Sequence, residues 1–225
     1  MKTDNTTLLQ NIYQRMLEKF GPQDWWPGES REEIIIGAIL TQNTNWNNVD
    51  RAIKNLKRYS LLDFARLSKI SEKKLGILIR PSGYYNQKAA RLKSISQFFQ
   101  NNSLDKYTQL STDELRKELL SIHGIGEETA DSILLYALDR PIFVIDAYTK
   151  RIFNRLGFFQ DNISYKEAQK FFMKHIQPDT KLYNEYHALL VKFGKEFCKK
   201  LPKCEGCFLR DLCKFYRSDQ SKEAA

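Results

Sequence analysis

The residues Leu119-Leu-Ser-Ile-His123-Gly124-Ile125-Gly126-Glu-Glu-Thr-Ala-Asp-Ser-Ile133-Leu134 read as two helices joined by a Gly-x-Gly turn. Glycine reaches backbone conformations closed to other residues and lets the main chain approach another molecule closely. The amides of such a turn stand at the N-terminus of the second helix, where the dipole favours an anion such as a nucleic-acid phosphate. An ordinary tight turn between helices has the same sequence, so His123 to Gly126 leave both readings open.

Twenty residues beyond Gly126 comes Asp146, the single carboxylate ending the apolar run Pro141-Ile-Phe-Val-Ile-Asp146. Ala-Tyr-Thr-Lys-Arg follows it. Asp146 suits the N-cap of a helix running on to Leu156, the common task of an Asp in that setting. A catalytic carboxylate is the other reading.

Upstream the pattern is helical throughout. Leu8, Ile12, Met16 and Phe20 fall at i, i+4 spacing, and Gly21-Pro22 stops that helix. A second helix is predicted from about Glu32 to Leu56, apolar over Ile34 to Leu40 and polar after Thr41, as if it emerged from the core at a functional end. Gly83 marks a break before a Lys/Arg-studded helix, Asn86 to Phe99. Asn101 to Thr108 reads as a loop. Ser111-x-x-Glu114 is a capping box opening a helix to Ile122, and Ser218 to Ala225 reads as a frayed tail. No useful length of period-2 alternation occurs, so the fold class is all-α.

All four cysteines are gathered as Cys198-x5-Cys204-x2-Cys207-x5-Cys213. Four thiolates in one short segment are a ligand set for a metal centre, and soft thiolate selects iron–sulfur clusters or zinc. Zinc sites usually pair C-x2-4-C motifs across a long spacer. Only Cys204 and Cys207 have that spacing, so a cubane cluster is favoured and zinc stays open. A disulfide framework is the third reading, disfavoured by the absence of other cysteines and of a secretory N-terminus.

The formal net charge is +9 and the isoelectric point about 9.3, which suits a polyanionic partner. From Val191 to Arg217 eight Lys/Arg stand against three acids. That excess serves phosphate contact, or offsets the negative charge of a four-thiolate centre, or both. No stretch approaches the roughly 18 apolar residues of a membrane span. The expectation is a cytoplasmic protein with reduced thiols and no membrane partner.

The order of Gln42, Gly83-Tyr-Tyr-Asn-Gln-Lys88-Ala, the Gly124-Ile125-Gly126 hairpin, Pro141…Asp146 and four clustered cysteines resembles the helix–hairpin–helix DNA glycosylases. The cysteine set points to their endonuclease III branch. The resemblance spans about residues 8 to 215. It implies two helical domains with DNA in the cleft between them. Residues 28–137 would form a six-helix domain carrying the hairpin. Residues 1–27 with 138–225 would form a second, carrying the catalytic Asp and the cluster loop. Cys198, Cys204, Cys207 and Cys213 would then hold a [4Fe-4S] cluster, with zinc the lesser alternative.

Two departures stand out. The first cysteine spacing is one residue shorter than the x6 usual in that family. Glu128 occupies the position where bifunctional members carry a lysine nucleophile, and a carboxylate cannot form a Schiff base. The expectation is therefore a monofunctional glycosylase without AP-lyase activity.

Trp25-Trp26-Pro27, Leu40-Thr-Gln42-Asn43-Thr44-Asn-Trp46 and Arg80-Pro-Ser-Gly83-Tyr84-Tyr85-Asn86-Gln87-Lys88 resemble the 3-methyladenine glycosylases related to endonuclease III. All three tryptophans fall in the first two stretches. Trp25, Trp26 and Trp46 are expected at the base pocket, where an electron-rich face attracts a cationic alkylpurine. Core packing is the alternative for Trp25 and Trp26. A base inside a duplex must be flipped out to react. The resemblance implies Gln42 as the wedge filling the gap, and Asp146 as the group stabilising the oxocarbenium-like sugar or orienting water. It places Gly124, Ile125, Gly126 and Thr129 at a phosphate. Lys88 and Arg91 are backbone-contact candidates, with a solvated helix face as the alternative. His187 reads as a satisfied core residue.

The expected partner is double-stranded DNA containing a damaged base, with the protein a monomer. The rival readings are a glycosylase for oxidised pyrimidines or mismatched bases, and a non-catalytic binder of damaged DNA.

Overall fold

A computed structural model of the chain describes residues 4–100, 107 and 109–223. The described residues contain helices and no strand. In chain order these are α1 Asn5–Phe20, α2 Arg31–Leu40, α3 Trp46–Arg58, α4 Phe64–Lys69, α5 Glu72–Leu78, α6 Tyr85–Gln100, α7 Thr112–Ser121, α8 Glu127–Ser132, α9 Ala147–Leu156, α10 Tyr165–His175, α11 Thr180–Glu196 and α12 Lys214–Glu223. Among the described residues no helix is long and apolar enough to cross a membrane.

Short polar side chains start these helices. Ser30, Asn45, Asp63, Ser71, Ser111, Asp146, Ser164 and Asp179 each accept a hydrogen bond from an amide of the first turn, satisfying donors that the helix itself leaves open. The Ser111–Glu114 capping box forms with both of its hydrogen bonds.

One such cap corrects the single helix expected from Glu32 to Leu56. Asn43 enters the left-handed region at φ +52, and Asn45 accepts from the Asn48 amide at 3.1 Å. The helix therefore breaks into α2 and α3 around Gln42. A second correction concerns the tail, because α12 continues through Ser218 to Glu223. The loop expected over 101–108 lies outside the described residues except at Tyr107, as do the last two residues of the tail.

The chain divides into two compact units, Trp26–Arg140 and Met1–Trp25 with Pro141–Ala225. In the first, α2 is buried on nearly every side, with Ile35, Ile36, Ile39 and Leu40 fully enclosed. In the second, α1 joins the C-terminal part. Tyr186 on α11 donates to the Leu9 carbonyl at 2.8 Å, and Arg15 reaches Asp211 at 2.7 Å. Its core is aromatic, with Phe143 stacked on Phe172 at 4.1 Å and Tyr183 and Tyr186 edge-on to Phe143.

Candidate active site and metal centre

The hairpin joins α7 to α8 through Ile122–Gly126. Gly124 has φ +82, and a Cβ there would sit 2.5 Å from Cγ of Arg91. Only glycine fits, both for its backbone and for the side chain lying across it. Gly126 caps α8 with no side-chain hydrogen bond, and nothing lies within 4 Å of where its Cβ would be. Ile125 is buried and its amide donates to the Ile122 carbonyl at 3.1 Å, which closes the turn. Glu128 is exposed. Behind the turn Arg116 holds Asp131 with two hydrogen bonds, at 2.7 and 3.1 Å, and Asp131 is fully buried. That pair clamps α7 to α8. After α8 the chain makes one π turn, Ile133–Ala137.

Gln42, in the break between α2 and α3, is tied to this hairpin. Its Nε2 donates to Thr129 Oγ1 at 2.9 Å and to the Gly124 carbonyl at 3.4 Å, while its Oε1 accepts from Arg91. The structure thus gathers Gln42, Arg91, Gly124 and Thr129 into one network. Arg91 is half-buried in that network, not spread on a solvated face. Lys88 requires a larger correction. It is 1% exposed, and its ammonium donates to the carbonyls of Leu40 at 2.9 Å and Ser82 at 2.6 Å. Burial, with Arg91 nearby, lowers its pKa to about 8. An ammonium enclosed in this way cannot reach a phosphate.

Sequence reasoning missed Tyr84. Its ring is 63% exposed, yet its backbone is held at φ +46 beside Gly83 at φ +70. An aromatic residue in the left-handed region is a strained conformation of the kind that clusters at functional sites. The Gly-Tyr-Tyr pattern was the available signal.

The tryptophans close on one another. Trp26 meets Trp46 edge-on at 5.3 Å and Tyr136 at 5.2 Å. Its indole also lies against Gly37, where a Cβ would stand 3.1 Å from it. The cavity beside them, bounded by Glu33, Asp50 and Ile53, measures about 30 Å³. That admits a water and not a purine. Trp26 and Trp46 therefore pack on each other, with Trp26 seated on α2, and both stay half-buried. Trp25 falls in the other unit.

Asp146 caps α9. Its Oδ1 accepts from the Thr149 amide at 2.7 Å, and the carboxylate is 9% exposed. Its Oδ2 stands 3.9 Å from Nε2 of His187 on α11. Burial holds the His187 pKa below the ordinary imidazole value, opposed by Asp146; the Lys195 amine is shifted down by the same balance. A Cβ on Gly194 would lie 2.4 Å from the Tyr148 ring, so this glycine lets α9 and α11 approach closely. The two sequence readings of Asp146 are thus compatible. One oxygen caps the helix and the other faces an imidazole. The partnership with His187 left no local signal, because it joins helices 41 residues apart.

Cys198, Cys204, Cys207 and Cys213 line one cavity walled by Ile152, Leu156, Phe193, Phe197 and Leu209, and none forms a disulfide. Burial and the neighbouring cysteines push the Cys207 thiol up to about 11. Among the described residues no three Cys, His, Asp or Glu side chains close tightly enough to hold one metal ion. A single zinc draws its sulfurs to about 2.3 Å from one point, whereas a cubane spreads four thiolates over four irons. Four thiolates around one apolar-walled cavity are a donor set that fits a soft metal centre, a cubane or a zinc. Arg155 on α9 donates to Cys198 Sγ at 3.3 Å and to the Lys200 carbonyl at 2.9 Å, and Arg151 donates to the Cys198 carbonyl at 2.9 Å.

Residues 36–178 match the HhH-GPD superfamily of base excision DNA repair proteins. A protein of Methanocaldococcus jannaschii, provisionally assigned as a DNA repair glycosylase, is 48% identical over 95% of this chain and 99% of its own. Endonuclease III of Thermotoga maritima is 33% identical over 82% of this chain and 83% of its own. The H. pylori 3-methyladenine DNA glycosylase MagIII, solved bound to 1,N6-ethenoadenine, superposes with a TM-score of 0.75 at 31% identity, covering 86% of this chain and 98% of that one. A non-covalent endonuclease III–DNA complex gives a TM-score of 0.80 at 23% identity over 97% of this chain and 100% of the other, a likeness of fold. The chain belongs to the HhH-GPD superfamily of base excision DNA repair proteins and is a DNA glycosylase of that class.

Proposed function

We propose that this glycosylase is monofunctional and releases an alkylated purine, such as 3-methyladenine, from double-stranded DNA. The observation that carries the reading is Asp146, a nearly buried carboxylate fixed by its own helix with one oxygen left for the reacting sugar. As the glycosidic bond breaks, positive charge grows on the sugar, and a preorganised carboxylate in a partly dry site stabilises it. The imidazole beside Asp146 has its pKa lowered by burial and so is a poor general acid at neutral pH. That suits a cationic base, which departs neutral without protonation. The likeness to MagIII, solved with a modified adenine, supports the same substrate class. Glu128 at the hairpin supplies no amine for a Schiff base.

The hairpin amides of Gly124 and Gly126 would take a phosphate beside the flipped nucleotide. Gln42 and the exposed ring of Tyr84 would occupy the gap it leaves. The four cysteines would hold a [4Fe-4S] cluster. It would supply a rigid, charged anchor for the lysine-rich loop and, through Arg151 and Arg155, for the helix that Asp146 caps. The protein would act as a cytoplasmic monomer.

The similarity to an endonuclease III favours a second reading, removal of oxidised pyrimidines or mismatched bases. Release of free bases from methylated duplex DNA, with Asp146→Asn as control and nicking scored before and after alkali, separates them. Methylpurine release that needs Asp146, with nicks only after alkali, is the expected result. Release only from oxidised, mispaired or deaminated duplexes would overturn the substrate, and nicking without alkali would overturn monofunctionality.

A further inference from the structure

The Lys88 ammonium is buried, and this arrangement has a use beyond packing. It donates to the carbonyl of Leu40, the last residue of α2, and to that of Ser82 in the short 3-10 turn Arg80–Ser82. The Lys88 amide also donates to the Tyr84 carbonyl at 3.0 Å. The two side-chain bonds therefore end on two separate loops, while the amide bond closes the first turn of α6. Two residues past Leu40 is Gln42, and two past Ser82 is Tyr84. Both loops are under backbone strain, Asn43 at φ +52 and Tyr84 at φ +46. The Gln42 side chain is tied to the hairpin, and Tyr84 stands directly before the first turn of α6.

We propose that Lys88 is a positioning residue that sets the spacing of Gln42 and Tyr84, so that the two enter the helix stack as one device during base opening. Carbonyls at a helix end lack intrahelical partners, and a cation there is favoured by the dipole. One ammonium satisfies such a carbonyl and at the same time fixes the second loop against it. An apolar residue of the same length would fill the space and leave both carbonyls without that donor. The tips would then drift, and misplacement by about 1 Å can cost on the order of a hundredfold in rate. Arg91 adds the last constraint by holding the Gln42 amide against the hairpin. The proposal rests on the glycosylase reading for its purpose, but its test does not need base release.

The test places 2-aminopurine beside a stable abasic site in duplex DNA and reads its fluorescence on binding, which reports unstacking. Lys88→Met is compared with the parent and with Tyr84→Ala, alongside affinity for undamaged duplex and a melting curve. The expected result is folded Lys88→Met that binds undamaged duplex within about twofold of the parent and loses the unstacking signal as fully as Tyr84→Ala does. The double variant should be no worse than either single one, since both remove the same device. Additive losses, or an unstacking signal that survives in folded Lys88→Met, would overturn the proposal. Should Lys88→Met not fold, Lys88→Gln keeps N–H donors on a chain one bond shorter. It should show a partial signal, and a full one would overturn the proposal. Loss of unstacking with no base released from any substrate would refute the glycosylase reading and leave this one standing.

Discussion

Replacing Arg116 by Met tests how the hairpin is held. Arg116 grips both oxygens of Asp131 at 2.7 and 3.1 Å, with Asp131 at 0% and the Arg116 side chain at 21% exposure. Methionine keeps much of the volume and removes the charge, leaving a carboxylate enclosed without this cation. Breaking a buried pair from one side costs about 3–5 kcal/mol, against about 0–1 kcal/mol for an exposed pair. At about 2–4 °C per kcal/mol for a chain of this size, the melting temperature should fall by roughly 10 °C. The double variant Arg116→Met/Asp131→Leu should recover most of the loss, because an apolar pair of similar volume is close to neutral. Urea titration of the full chain, followed by circular dichroism, gives both numbers. A loss of under about 1 kcal/mol for Arg116→Met would refute the reasoning and mark the pair as solvent-screened.

Gly124→Ala should lower stability by about 1–2 kcal/mol for its left-handed backbone. It should also weaken DNA binding, because its Cβ would displace Arg91 and free Gln42; filter binding of an abasic duplex reads that part. Gly194→Ala should drive α9 from α11 and slow base release, and adding Tyr148→Ala should restore part of the rate by removing the ring it strikes. Lys88 gives a pH signature. Its pKa falls from 10.5 to about 8 on folding, so the folded chain binds fewer protons than the unfolded one between those values. The stability it withholds is regained as pH rises toward 10.5 and is lost again as pH falls through 8. At about 1.36 kcal/mol per unit, the parent should gain on the order of 3 kcal/mol over Lys88→Met across that window in urea titrations. A flat difference would show that the ammonium is not desolvated.

Much of the fold was legible because its signals are local. Ser111 and Glu114 lie three residues apart, and Gly124 and Gly126 flank one residue, so a short window contains the physics. Asp146 was legible as a cap for the same reason. Burial is a tertiary property and was not. The sequence around Lys88 reads as a basic helix face, and only the fold shows that Leu40 and Ser82, 48 and 6 residues away, bring their carbonyls to its ammonium. His187 was similarly opaque, since its partner lies on another helix. The contact of Trp26 with α2 was opaque for a related reason. Composition near a motif suggests stacking on a ligand, while Gly37 opens a seat in α2 that Trp26 fills.

Buried hydrogen bonds also change what the basic composition means. Lys88, Lys93, Arg140, Lys150, Arg151 and Arg155 all spend N–H donors on backbone carbonyls, at Leu40, Ile70, Leu110, Ile163, Cys198 and Lys200 respectively. Several of these carbonyls lie at helix ends or in turns, where the main chain has no acceptor pairing of its own. An all-α chain of many short helices has many such ends, and long cationic side chains are the groups able to reach them. Part of the excess charge therefore stitches the fold, and it is not all available to phosphates. Counterion release counts only the phosphates that cations neutralise, so the salt dependence of DNA binding follows from the cations outside this set. The lysine-rich loop around the cysteines is where such cations concentrate. Lys199, Lys200 and Lys203 are all exposed or half-buried there, while Arg151 and Arg155 hold the same loop from beneath by its carbonyls. One group of cations fixes the loop, and the other faces outward from it.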